Sequence, residues 1–202
     1  MDSSFNLFPV PITYCPNFIS ESERLIIFEK LCGLNSSDHN LVGNGKSSYI
    51  FYKDILSLLG LKERVNNKFK NYTNSLKMHP VKIVESWFNI QQKGGYLLDH
   101  NHGTPAISSA LYINVDDRSS NLTFKNPNPL VCSLWNPSTV RKFNYSEHVI
   151  NPKNGDMYIF PGWLNHGSTN INETENRMVI SANAAWNITK IKDKDKVNLS
   201  YQ

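Results

Sequence analysis

The chain has 202 residues, of which 19% are charged, 40% hydrophobic and 11% aromatic, the profile of an ordinary globular protein with a buried core and not of a disordered one. A net charge of +4 and a sequence pI near 8.9 fall short of the basic excess of a dedicated nucleic-acid binder. No run reaches the roughly 20 apolar residues of a membrane span.

The first residues, "MDSSFNLFPVPITYCPNF", have no basic start followed by a long apolar stretch, so they read as neither a signal peptide nor an anchor. Cys15, Cys32 and Cys132 are scattered, odd in number and never spaced C-x-x-C, which argues for reduced thiols in a soluble cytoplasmic protein. "SESERLIIFEKLCG" opens with Ser20 and Ser22 as candidate N-caps and stops at Gly33. Its apolar stripe is expected to be Leu25, Ile26, Phe28, Leu31 and Cys32. "NSSDHNLVGNGKSS" reads as loop. From Lys53 to Leu76 a second helical stretch carries Ile55, Leu58, Leu59, Val65, Phe69 and Tyr72 on one face, with a break near Gly60.

After Pro80 the pattern changes to short apolar or alternating runs set off by Gly, Pro and Asn: "VKIVESWFNIQQ", "GYLLDHNHG", "ISSALYINV", "NLTFKNP", "SEHVINP", "GDMYIFPG" and "NRMVISANAAW". Such runs predict an antiparallel sandwich or barrel. The expected organisation is one domain over 1–202, with N-terminal strand and helical support over 1–80, a β-roll core over 81–188 and a solvated tail over 189–202. The alternating charges of "KIKDKDKV" in that tail suit a solvated segment better than a nucleic-acid contact.

Within "YLLDHNHG", alternate side chains of an extended strand share a face, so His100 and His102 can chelate one ion while Asp99 points away. His166 follows a later strand and precedes Gly167, and Arg177 opens a strand eleven residues further on. A roll brings the first and penultimate of these strands together, giving a facial trio of imidazoles with open coordination positions opposite. Arg177 shares its strand face with Val179, Ser181 and Asn183, and its planar fork suits a carboxylate. Isolated His39, His79 and His148 read as surface or satisfied core residues, and Trp87, Trp163 and Trp186 as packing.

With "NLFPVPI", "ESWFNIQQKGGY", "HNHGTPAISSALYINV", "NPKNGDMYIFPGWLNHG" and "NRMVISANAAW" in this order, the chain resembles an Fe(II)/2-oxoglutarate-dependent oxygenase, of the family found in marine bacteria and phages. The resemblance implies a mainly β, cupin-like double-stranded β-helix (jelly roll) with N-terminal helices, Fe(II) as metal and 2-oxoglutarate as co-substrate. It implies iron ligation by His100, His102 and His166, and binding of the distal carboxylate of 2-oxoglutarate by Arg177 with help from Ser181 or Asn183. Asn89, which faces the same side as Gln91, and Tyr112 are implied as further co-substrate contacts. His102 departs from the superfamily's usual His-x-Asp/Glu, which leaves the site one charge unit more positive.

The implied reaction uses O2 to hydroxylate a substrate and releases succinate and CO2. The substrate, whether a protein side chain, a nucleobase or a small metabolite, and the oligomeric state stay open. Two alternatives remain: a three-His iron dioxygenase without 2-oxoglutarate, and a β-roll module that holds a metal without turnover.

Overall fold

The computed structural model describes residues 9–128 and 146–187, so the readings of Cys132 and of the charged run at 190–197 lie outside the described residues. A short strand β1 (Thr13–Cys15) precedes helix α1 (Glu21–Cys32). Ser20 caps that helix: its Oγ accepts from the Glu23 N–H and the Glu23 carboxylate accepts from the Ser20 N–H at 2.8 Å, a capping box that satisfies two orphan donors. Gly33 ends the helix as expected.

The apolar stripe of α1 differs from the expected one. Its buried line is Arg24, Ile27 and Leu31, whereas Leu25 and Ile26 are 48% and 68% exposed and Cys32 is exposed. Arg24 reaches inward because Glu21 takes its Nε at 2.7 Å and its Nη2 at 2.6 Å, while its Nη1 donates to the Ile113 carbonyl at 2.8 Å. A guanidinium with each of its three nitrogens bonded can occupy a core-facing position, and a stripe drawn by hydrophobicity alone is therefore rotated.

The segment read as loop contains strands β2 (Ser37–His39) and β3 (Val42–Ser47), antiparallel to each other. Gly45 serves close approach here, since a Cβ on it would lie 2.5 Å from the Ile90 carbonyl oxygen. The second helical stretch breaks at Gly60, whose φ is +71°, into α2 (Ile55–Leu58) and α3 (Lys62–Ser75). Ile55, Val65, Phe69 and Tyr72 are buried, but Leu58 is exposed.

Seven further strands are not all where turn residues placed their ends. β4 (Val81–Leu97) runs straight through Gly94-Gly95, and the remainder are β5 (Ile107–Asn114), β6 (Leu122–Lys125), β7 (Glu147–Ile150), β8 (Met157–Pro161), β9 (His166–Gly167) and β10 (Arg177–Trp186). The larger sheet has the order β1-β8-β5-β10-β4-β3-β2, and the smaller β7-β6-β9; every pairing is antiparallel. This is the jelly roll expected. The N-terminal strands complete both edges of the larger sheet.

Period-2 alternation assigns two environments to β10. Met178, Ile180, Ala182 and Ala184 join Phe88, Leu111 and Ile159 in a core shared with Ile27 and Leu31 of α1 and Val65 and Phe69 of α3. Val179 packs on the other side with Tyr112, Leu122, Phe124, Tyr158 and Phe160. Among the described residues no helix is long and apolar enough to cross a membrane.

Gly167 lies where β9 passes the end of β4: a Cβ there would stand 2.5 Å from Asp99 Oδ1 and 2.9 Å from the Leu97 carbonyl oxygen. Gly167→Ala is therefore expected to lower stability by about 1–3 kcal/mol, the usual cost of overpacking. An unchanged urea midpoint would show that the two segments separate freely.

Candidate functional site

His100 lies beyond the end of β4, so His100 and His102 do not belong to a regular strand as expected. The segment is nevertheless held extended. His100 N–H donates to the His166 carbonyl and His166 N–H to the His100 carbonyl, both at 2.9 Å, and His102 N–H donates to the Gly162 carbonyl at 2.9 Å. These bonds bring together the three imidazoles. Ring centroids lie 4.4 Å apart for His100 and His166, 5.1 Å for His102 and His166, and 5.3 Å for His100 and His102. One ligand nitrogen from each comes within 4.8 Å of the others.

Two of the rings are prepared for a metal. His100 Nδ1 is 2.8 Å from the Leu98 carbonyl and His166 Nδ1 is 2.9 Å from the Leu164 carbonyl. A carbonyl only accepts, so each Nδ1 carries the proton and each Nε2 keeps its lone pair. His102 has no such carbonyl: its Nδ1 faces the Asn183 amide nitrogen at 3.3 Å. Asp99 turns away as expected, with Lys125 Nζ at 3.4 Å from its carboxylate.

Burial, then the neighbouring rings, holds these imidazoles neutral. It lowers the pKa of His100, and it pushes His102 down to about 4 and His166 down to about 3. Neutral rings are the ligand form.

The trio opens into a cavity of about 290 Å³ that Asn89, Gln91, Tyr112, Arg177, Ser181 and Asn183 also line. Arg177 is 5% exposed. Its Nε donates to the Ser120 carbonyl at 3.0 Å and its Nη1 to Gln91 Oε1 at 2.9 Å, and its guanidinium carbon is 5.4 Å from the centre of the Tyr112 ring. Among the described residues no carboxylate oxygen lies within 4.0 Å of it. Burial lowers its pKa, yet an arginine stays charged in a protein. The result is a buried cation with neutral partners only, next to open volume. Burial likewise raises the Tyr112 hydroxyl to about 12, so it remains a hydrogen-bond donor. Asn89 Oδ1 is buried with no hydrogen-bond partner.

Asn183 stands at the other end of the face from Arg177. Its Oδ1 accepts from Ser108 Oγ at 2.7 Å and its Nδ2 donates to Glu85 Oε1 at 2.7 Å, so its amide is engaged beside His102. Ser181 is half-buried between these ends. Trp87 lines the cavity, Trp163 is exposed, and Trp186 meets His79 edge-on. His39, read as unremarkable, is at the cavity wall. Sequence reasoning missed Glu85 and Ser120. Counting back by twos from Gln91 and Asn89 reaches Glu85, whereas Ser120 acts through its carbonyl and leaves no side-chain signal.

Three imidazoles able to hold a metal ion and a buried arginine with no carboxylate partner thus line one cavity of the jelly roll. Residues 85–183 match the family described as "Putative 2OG-Fe(II) oxygenase", so this part of the chain is similar to the Fe(II)- and 2-oxoglutarate-dependent oxygenases. No curated protein matches the sequence. Among solved structures it is similar to HygX from Streptomyces hygroscopicus with nickel and 2-oxoglutarate bound, at 12% identity and TM-score 0.63, covering 88% of this chain and 84% of that one. A Pseudomonas putida prolyl-4-hydroxylase is similar at 13% identity and TM-score 0.61, covering 88% of this chain and 93% of that one. The viral collagen prolyl hydroxylase of Paramecium Bursaria Chlorella virus-1, in complex with 2OG, is similar at 12% identity and TM-score 0.57, covering 86% and 96%.

The lowered imidazole pKa values carry a stability consequence. An unfolded histidine titrates near 6.5, so the unfolded chain binds protons that the folded trio refuses; stability present above pH 6.5 is lost as pH falls toward 4 and 3. The metal-free protein should show a thermal midpoint that drops over this range, and His166→Gln should flatten the drop. Parallel profiles in calorimetry would mean that His166 is already protonated in the fold.

Proposed function

We propose that His100, His102 and His166 hold Fe(II) and that Arg177 receives the distal carboxylate of 2-oxoglutarate, in a single cytoplasmic unit that hydroxylates a substrate C–H. The single observation that carries this reading is Arg177. A buried guanidinium with no carboxylate partner is costly to keep, and it lines the same cavity as the three imidazoles. A metal-storage module or a dioxygenase without the co-substrate gives such a cation nothing to bind.

The residues fit both groups. The Nδ1–H bonds of His100 and His166 leave nitrogen lone pairs for a divalent ion, and imidazole suits iron. Gln91 and the Ser120 carbonyl fix two edges of the guanidinium so that its fork meets a carboxylate without reorganising. Tyr112 donates from the same wall. Asn89 offers a buried amide whose oxygen has no partner, and an amide turned end for end presents two donors instead.

When bound, Fe(II) and 2-oxoglutarate together supply oxidative decarboxylation: 2-oxoglutarate, O2 and R–H become succinate, CO2 and R–OH. This chain contributes position and dryness. The Leu98 and Leu164 carbonyls hold two ligand rings in one tautomer and orientation. Val179, Leu122 and Phe160 line the cavity with apolar surface, which excludes water from the reacting centre.

In anaerobic calorimetry, His100→Ala and His166→Ala should weaken divalent-metal binding by orders of magnitude, and Asp99→Ala should leave it near the wild-type value. Arg177→Met should leave metal affinity intact and weaken 2-oxoglutarate by about 30- to several thousand-fold, because losing half of a buried charge pair costs about 2–5 kcal/mol. Arg177→Lys should recover part of that loss. Absence of saturable 2-oxoglutarate heat in metal-loaded wild type would remove the co-substrate from this reading.

A further inference from the structure

The cavity carries a second charge that the metal and co-substrate do not use. Glu85, Trp87, Asn89 and Gln91 are alternate residues of β4 and all line it. Gln91 pairs with Arg177 in the ladder, and Glu85 pairs with Asn183. The arginine and the glutamate therefore stand at opposite ends of one two-strand face, six residues apart, or roughly 20 Å at the rise of a β-strand. A 2-oxoglutarate anchored on Arg177 is too short to reach Glu85, and both its carboxylates would be repelled there.

The Glu85 carboxylate has neutral donors and no cation. Oε1 accepts from Asn183 Nδ2 at 2.7 Å and Oε2 from the Tyr49 hydroxyl at 2.9 Å. Among the described residues no Lys, Arg or His nitrogen is within 4.0 Å of it. Each carboxylate oxygen has a second lone pair free for another donor. Beside it, Tyr49 and Trp87 meet edge to face, with centroids 5.1 Å apart and planes at 84°, and both line the cavity. Lys53 Nζ covers one face of the Tyr49 ring at 3.2 Å from its centre, so a ligand cation would meet Trp87 and the Glu85 carboxylate and not that face. Tyr49, with His39, Leu41 and Val42 of the β2–β3 hairpin, lies outside the residues 85–183 matched by the family.

An ionised carboxylate against aromatic walls, with acceptor capacity left over, is complementary to a positively charged donor. We propose that Glu85, Tyr49 and Trp87 form a substrate subsite for an alkylammonium group, carried by a lysine-like side chain or by a small amine. This rests on the oxygenase reading of the same cavity, in which Arg177 takes the co-substrate and the opposite end takes the molecule to be oxidised. Asn183 links the subsite to His102, so the ammonium is held next to the metal-ligating trio.

The test is ligand-observed NMR on protein loaded with Zn(II) and 2-oxoglutarate, using n-butylammonium, N-acetyl-lysinamide, 1-pentanol and pentanoate as probes. One or both ammonium probes should bind, and the neutral and anionic probes should not. Preference for N-acetyl-lysinamide points to a protein side chain, and preference for n-butylammonium to a small amine. Glu85→Gln should weaken ammonium binding about 10- to 100-fold, the range for losing a hydrogen bond to a charged group, while metal and 2-oxoglutarate titrations stay within twofold. Tyr49→Phe, which keeps the charge and the ring, should retain ammonium binding, and circular dichroism confirms that each variant folds.

Equal binding of 1-pentanol, or ammonium binding untouched by Glu85→Gln, overturns the proposal. So does a Glu85→Gln variant that loses metal affinity alone, because the carboxylate then serves the metal site. The probes are also titrated into metal-free protein. A wild type that takes up neither metal nor 2-oxoglutarate but binds ammonium through Glu85 would sink the oxygenase assignment of the site and leave the subsite standing.

Discussion

A strand covered on both sides must satisfy two neighbours with alternate residues, and the β4–β10 pair carries the whole site under that constraint. One face of β10 gives Met178, Ile180, Ala182 and Ala184 to the core beneath the helices. The other gives Arg177, Val179, Ser181 and Asn183 to the cavity. A slip of one residue would bury the polar set among the helices and present the apolar set to the cavity. The burial of Phe88 and Ile180 between sheet and helices thus holds Gln91 against Arg177 and Glu85 against Asn183. Core packing and site geometry are two faces of the same ladder.

That constraint explains which features were legible in the sequence. Alternation placed Arg177, Ser181, Asn183, Asn89 and the His-x-His pair on cavity faces, and Asp99 off them. Capping chemistry marked Ser20 and Gly33. Features set by tertiary partners were not legible. Arg24 is buried because Glu21 and the Ile113 carbonyl receive it, and nothing local announces the second of these. β3 looks like loop because glycine is demanded by the close passage of β4. Gly94 and Gly95 read as a turn, yet Asn172 bonds to both, donating to Gly95 and accepting from Gly94 at 2.7 Å each, and the strand continues.

The positive charge of a three-imidazole centre is the feature that most separates this site from one with a carboxylate ligand. Ligation by neutral rings leaves the full charge of a divalent ion to be balanced by something else. In the proposed arrangement 2-oxoglutarate would bring two negative charges to face the two of the ion and the one of Arg177, with no protein carboxylate among the ligands. Asp99 is withdrawn toward Lys125, and Glu85 is separated from His102 by the Asn183 amide. Affinity for the co-substrate should therefore draw on the metal as well as on Arg177, two attractions at the two ends of one small dianion.

The rigidity of the trio comes from backbone, which has consequences for what side-chain variation the site tolerates. His100 and His166 exchange both of their backbone hydrogen bonds, and His102 is tied to Gly162. The same two rings receive their tautomer from carbonyls two residues earlier, Leu98 and Leu164. No side chain has to be kept for that orientation, because a carbonyl is present whatever residue supplies it. His102 differs, since its ring meets the Asn183 side chain. Two of the imidazoles are thus set by the fold itself, and the third meets an amide that also touches Glu85. Asn183 therefore joins the end of the cavity assigned to the substrate to the one imidazole whose ring no carbonyl orients, and Glu85 meets that ring only through the amide.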